Sequence, residues 1–331
     1  MEIPLLPPAI ESLALHDLYT TTDVPGLLRA SPDEQRVRVD SWSLLRVLGL
    51  ARDCAAGAEL AGAVVSEWFT RALEELGPAE RIRDAMRESG AVLSGSRCVR
   101  FLDRFATFPA GDWDFFTTVE ASASFCSFVT TGLGGIEREE VGTGDGDEQL
   151  VQALGLRGRR VFDTPVGTVV VMSSVGSPAV AVTRFHSTIV MNYATADGFC
   201  IAHPVTFFKR VNLEYRSEAA AREGIKKYAD RGYITLPSPD TLFPGRPVPQ
   251  LCLPWGLCTR HLRALGDKFC LAVKLQAGAR SPVYIMGFPR PLPSSLLNPP
   301  RPQAFTILVN ARDVAQVPWC TRFVFTGFPD L

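Results

Sequence analysis

Apolar positions recur at helical spacing from Ser41 to Arg87. Trp42, Leu45, Leu48 and Leu50 form one stripe, and Leu60, Val64, Val65, Trp68 and Leu73 form another, the signature of helices with one buried face. Pro78 opens a third helix, where its missing N–H costs nothing. Ile82, Ala85 and Met86 give that helix an apolar side before Ser89-Gly90 ends it. The pattern then changes. An apolar run from Gly90 stops at Gly95-Ser96, and helical spacing returns at Val99, Leu102 and Phe105. A D-W-D-F-F stretch from Asp112 follows, reading as a strand.

Downstream, Ala121 to Thr131 predicts a helix, and the glycine- and acid-rich stretch Gly132 to Glu148 predicts an exposed loop. That stretch lacks the Gly-Lys-Ser/Thr ending of a Walker loop and the G-x-G-x-x-G form of a dinucleotide fold, and Asp145 and Asp147 miss the calcium-loop spacing. Val161 to Ser174 reads as a hairpin and Ser177 to Phe185 as a short helix. Thr188 to Tyr193 and Phe199 to His203 read as strands joined by a turn at Ala196-Asp197-Gly198. Ser217 to Asp230 is a helix interrupted by Gly224 and stopped by Arg231-Gly232.

Residues 1 to about 40 read as a loose lead-in. Beyond Leu236 clustered prolines favour extended segments over helices, and the apolar stretches Phe269 to Val273, Val283 to Phe288, Phe305 to Val309 and Phe323 to Phe328 predict short strands or core-covering pieces. The expectation is an α+β chain in three parts. Residues 1–87 form a lead-in and helical region, residues 88–235 the core, and residues 236–331 a proline-rich extension packed on that core.

With 331 residues, 46% of them apolar, the chain can bury one large core or two joined ones. Its 34 Lys plus Arg against 35 Asp plus Glu give a net charge of −1, without the basic excess that extended duplex binding requires. The clusters Arg157, Arg159 and Arg160, Lys209 with Arg210, and Lys226 with Lys227 read as solvated surface. The proline-broken opening is not a secretory signal, and no stretch approaches the roughly 20 apolar residues of a membrane span. The eight scattered cysteines suit free thiols in a reducing compartment. A cytoplasmic or nuclear protein without a membrane partner is expected.

The chemistry concentrates between Gly90 and Glu120. Side chains two apart on a strand project to one face, so Asp112 and Asp114 could share metal ions. A Gly95-Ser96 turn between strand and helix would bring exposed N–H groups and a hydroxyl to a phosphate. An apolar strand, Gly-Ser, a helix and Asp-x-Asp on the next strand together resemble the signature of the nucleotidyltransferase-fold superfamily, the DNA polymerase beta-like group. The resemblance implies a mixed sheet flanked by helices. It also implies Asp112 and Asp114 as catalytic, Mg²⁺-binding carboxylates, and Gly95 and Ser96 as contacts to a nucleoside triphosphate.

That family places a third carboxylate on a neighbouring strand. Val169 to Ser174, where it is expected, contains none, and Asp163 and Glu120 are the substitutes. A looser similarity, carried by SGS with D-x-D, by HSTIVMN at His186 to Asn192 and by KYADRG at Lys227 to Gly232, extends to a set of uncharacterised fungal proteins and implies fold alone. Two functions follow: a metal-dependent nucleotidyltransferase, or a catalytically inactive binding or interaction protein on the same scaffold.

Other candidates have simpler readings. His186 and Ser187, as strand neighbours, would point to opposite faces and make a poor nucleophile-base pair, leaving His186 as a buried hydrogen-bonding residue. Lys227, Tyr228 and Arg231 could contact a nucleotide from the helix end, or serve packing and surface.

Overall fold

The computed structural model describes residues 24–53, 55–138, 156–174, 177–214, 219–237, 262–263, 270–275, 284–287 and 322–323. Five helices lead: α1 (Val24–Arg29), α2 (Pro32–Asp40), α3 (Leu44–Asp53), α4 (Ala55–Glu74) and α5 (Ala79–Ser89). Part of the expected loose lead-in is therefore helical. Ser31 caps α2 in a reciprocal capping box with Glu34, and Pro32 sits at its first turn, a combination that satisfies two otherwise orphaned backbone donors. Gly90 ends α5 in the left-handed conformation, φ 62°.

The core begins with β1 (Val92–Ser94), α6 (Gly95–Leu102), β2 (Trp113–Thr118) and α7 (Val119–Leu133). It continues through β3 (Ile136–Glu137), β4 (Leu156–Thr164), β5 (Gly167–Ser174) and α8 (Pro178–Val182), then β6 (Asn192–Thr195), β7 (Gly198–Ile201) and α9 (Pro204–Phe208). The elements β8 (Val211–Leu213), α10 (Ala219–Asp230) and β9 (Ile234–Leu236) follow, and then β10 (Leu262–Arg263), β11 (Leu271–Lys274), β12 (Tyr284–Gly287) and β13 (Arg322–Phe323). Nine strands form one mixed sheet in the order β12-β11-β7-β6-β1-β2-β5-β4-β3. Every pairing in it is antiparallel except β2 with β5.

The period-two alternation of β2 divides the sheet's surroundings into two apolar layers. Trp113 and Phe115 join Leu93, Val169 and Val171 in a large cluster beneath α3 to α7. Phe116 faces the other way, into a smaller cluster with Val92, Val170, Met172 and Tyr193, covered by Ala179 and Val182 of α8. Burying Phe115 and Phe116 completely contributes about 2 kcal/mol each.

Several sequence expectations shift. Phe105 lies beyond α6 and is 56% exposed, because Asp103 ends the helix one turn early. Thr188 to Val190 is a 3-10 turn, and the strand there starts only at Asn192. Within the expected Gly132 to Glu148 loop, α7 continues to Leu133 and Ile136–Glu137 pair with β4, while residues 139–155 lie outside the described ones. Cys98, Cys126, Cys200 and Cys270 are free and buried. The stretch Phe305 to Val309 and the cysteines Cys54, Cys252, Cys258 and Cys320 lie outside the described residues. Among the described residues no helix is long and apolar enough to cross a membrane.

The chain beyond residue 236 enters the sheet through β11, which lies against β7 with Gly198 opposite Lys274. A Cβ on Gly198 would overlap the Val273 carbonyl oxygen and meet Lys274 Cα at 3.4 Å. Gly198→Ala therefore forces β11, with β12 beyond it, away from β7 and should cost about 2 kcal/mol. Hydrogen exchange should show the β11 amides deprotected and those of β1 and β2 unchanged. Equal protection of β11 in both proteins would contradict this role.

Candidate functional site: the Gly95 turn and the paired aspartates

Antiparallel pairing of β1 with β2 sets Ser94 opposite Asp114. The chain leaves β1 at the sheet end where it enters β2, so the turn after Ser94 faces the residues around Asp114. The turn is Gly95 in the left-handed region, φ 65°, a conformation glycine adopts without steric cost. A Cβ on Gly95 would lie inside the Asp114 carboxylate, with Cγ at 2.9 Å. Bend and carboxylate thus occupy one corner.

Ser96 is buried, and its Oγ accepts a 3.1 Å hydrogen bond from the Gly111 N–H. An accepting hydroxyl keeps its own proton to donate. Lys227 Nζ lies 4.0 Å from the position a Gly111 Cβ would take, so α10 reaches the corner from the opposite side. Asp112 stands exposed just before β2, and Asp114 is half-buried within it. Asp114 lies against the small-residue bend, while Asp112 stands on the strand's approach and not in the strand, near enough for its charge to be felt at Asp114.

Burial pushes the Asp114 carboxyl up to about 7, and the neighbouring Asp112 charge adds to the rise. Lys227 and Arg159 act in the opposite sense. Arg159 comes from β4 on the face shared by Val161, Val170 and Asp114, as the register of β4, β5 and β2 shows. Its sequence clustering with Arg157 and Arg160 predicts solvated surface, and the cross-strand register instead turns it toward Asp114.

Among the described residues no third acid joins the pair. Val170 is the β5 residue opposite Asp114. Asp163 lies on β4 opposite Thr168, is exposed, and is held by both arms of Arg138. Glu120 sits exposed in the first turn of α7. Among the described residues no group of three or more His, Cys, Asp or Glu side chains could hold a metal ion.

An open cleft of about 640 Å³ adjoins the corner. Thr107, Phe108 and Pro109 form one wall, and Glu223, Lys226, Lys227, Asp230 and Arg231 from α10 and its end form the other. Arg231 donates to the Pro109 carbonyl at 3.3 Å and stacks over Phe108 at 4.2 Å, joining the walls at one side. Tyr228 is buried behind them among aromatic rings. Lys227 and Arg231 therefore line the cleft, while Tyr228 packs.

The structure also corrects the reading of His186. Ser187 Oγ lies 2.9 Å from His186 Nδ1, although Ser187 itself is extended and bridges Glu214 just before a 3-10 turn. Ser187 is fully buried, so the pair has no access to a substrate. His186 presses against α10, where a Cβ on Gly224 would meet its Cδ2 at 2.7 Å. The glycine that interrupts the helix pattern makes room for this ring.

No protein-family model matches the chain, and neither curated proteins nor solved structures provide a match.

The displaced Asp114 ionisation has a stability signature. Between the ordinary value of 3.8 and about 7, the folded protein keeps a proton that the unfolded chain has released. Its stability falls as pH rises through that window, by at most about 1.4 kcal/mol per pH unit. Asp114→Asn removes the effect. Urea denaturation should show the variant gaining on the wild type from pH 4 to pH 7 and holding that gain above; a difference independent of pH would contradict the burial of Asp114.

Proposed function

We propose that the protein is a nucleotidyltransferase-like enzyme that binds a nucleoside triphosphate with Mg²⁺ where the Gly95 turn meets Asp112 and Asp114. The observation that carries this reading is the close approach of Gly95 to Asp114: a buried left-handed glycine at the start of a helix brings backbone against a carboxylate, with a second carboxylate two residues away in sequence. The donor set fits the metal in a specific way. Mg²⁺ is commonly held by one or two carboxylates together with substrate phosphates, not by an all-protein cage. Two aspartates, with no third acid beside them among the described residues, suit an ion that arrives with its nucleotide.

Asp112 and Asp114 would hold the ion, whose chemistry is to neutralise phosphate charge and polarise the transferred phosphoryl group. The Ser96 hydroxyl, already accepting from Gly111, would donate its proton to a phosphate oxygen. The Gly95 turn supplies backbone donors. Lys227 brings a positive charge from the neighbouring cleft, which is lined by none of Gly95, Ser96, Asp112 and Asp114.

A second reading, a catalytically inactive protein that binds through the same scaffold, is favoured by Val170 opposite Asp114 and by the engagement of Asp163 with Arg138. Thermal unfolding separates these readings from no binding at all. ATP with Mg²⁺ should raise Tm, by about 2.7 kcal/mol of added stability at 100 times Kd, and the Asp112→Ala, Asp114→Ala double variant should show no such rise. Pyrophosphate release with an added acceptor would assign transfer, and binding without release over an acceptor panel would favour the inactive protein. The absence of a shift with every nucleoside triphosphate would refute both.

A further inference from the structure

The residue immediately before the first aspartate is held at both of its backbone polar groups by a single helix. Gly111 donates its N–H to Ser96 Oγ at 3.1 Å and accepts at its carbonyl from Arg97 Nε at 3.0 Å. Ser96 and Arg97 are consecutive in the first turn of α6. The Arg97 guanidinium lies 4.5 Å over the ring of Trp113, the residue between the two aspartates. A second arm of the same guanidinium meets Glu75 Oε2 at 2.6 Å, and its side chain is 16% exposed. Glu75 also receives Arg100 at 3.3 Å, which fixes the anchor. One planar cation therefore ties together the chain entering Asp112, the indole between the aspartates, and the end of the α4 segment.

We infer that Arg97 is a positioning residue that sets the separation of the Asp112 and Asp114 carboxylates by clamping Gly111 and Trp113, so that both can take one metal ion. The inference rests on the metal-nucleotide reading above and adds to it a residue that touches neither metal nor phosphate. Asp112 precedes the regular strand and is exposed, so sheet pairing alone does not hold it. Asp114 is fixed by its place in β2 and by the Gly95 approach. The spacing of the pair then depends on whatever restrains Gly111. A fork that binds two partners while stacking on a ring is a task for arginine and not for lysine, whose single ammonium lacks the planar geometry.

The test compares wild type, Arg97→Met and Arg97→Lys, with folding checked by Tm and far-ultraviolet dichroism. ATP affinity is measured by calorimetry in EDTA and again in Mg²⁺, and amide exchange is followed at Gly111. In the wild type Mg²⁺ should tighten ATP binding. Arg97→Met should reduce that metal-dependent gain at least tenfold and speed Gly111 exchange at least tenfold, with ATP affinity in EDTA within twofold of wild type. Arg97→Lys should recover only part of the gain. A merely structural arginine would lower Tm, or weaken both affinities alike, without changing their ratio. An unchanged ratio in folded Arg97→Met overturns the inference and leaves the metal-nucleotide reading standing. A wild type whose ATP affinity ignores Mg²⁺ overturns that reading, and the inference with it. Should Arg97→Met fail to fold, Glu75→Gln, which loosens the guanidinium from its anchor, must show a reduced ratio in the same measurement, and an unchanged one overturns the inference.

Discussion

The approach of a bare backbone to a carboxylate, Gly95 against Asp114, is the constraint around which the rest of the molecule is arranged. It requires a residue without Cβ, a left-handed φ, and two antiparallel strands in the register that sets Ser94 opposite Asp114. A slip of one residue between β1 and β2 would turn Asp114 to the large apolar cluster and Phe115 to the site. The interleaved burial of Trp113, Phe115 and Phe116 on alternate faces prevents that slip. Hydrophobic pattern and site geometry are therefore enforced by the same contacts.

Behind the corner, buried polar side chains act as fasteners. Ser94 donates its hydroxyl to the Asn192 carbonyl at 2.6 Å, and Asn192 in turn donates its amide to the Ile189 carbonyl at 2.7 Å. Asn212 accepts from the Ile189 N–H, and Thr188 accepts from the Leu213 N–H. The HSTIVMN segment thus joins β1, at the residue preceding Gly95, to β8 and the elements around α10. Each of these groups would be costly to leave unpaired in the interior, so the segment works as scaffold and His186 as a packed ring within it.

Much of this was legible in the chain and some was not. Helical periodicity located α3 to α5, and the Gly-Ser bend followed by D-W-D located the corner, because local period and turn chemistry determine both. The α2 helix was missed although Ser31, Pro32 and Glu34 spell a capping box, since its outward-facing polar residues carry no apolar stripe. Phe105 was misplaced for the opposite reason: its spacing fits a helix that Asp103 has already ended. The contributions of Arg159, Gly111 and Arg97 depend on cross-strand register and on a loop folding back over α6, relations that no linear spacing records. The contact of Ser187 with His186 likewise escapes the alternation rule, since the regular strand begins only at Asn192.

Asp114 feels the charge of Asp112 on one side and of Lys227 and Arg159 on the other, and Asp112 also acts on Arg97 and Arg138. The most direct measurement is a crystal structure with Mn²⁺ and a non-hydrolysable nucleoside triphosphate, read by anomalous scattering. The account requires a peak bonded at about 2.1 Å to carboxylate oxygens of both Asp112 and Asp114, with a phosphate against the Gly95 and Ser96 backbone. A metal-nucleotide complex seated elsewhere, with Asp114 still closed against the glycine, would contradict it.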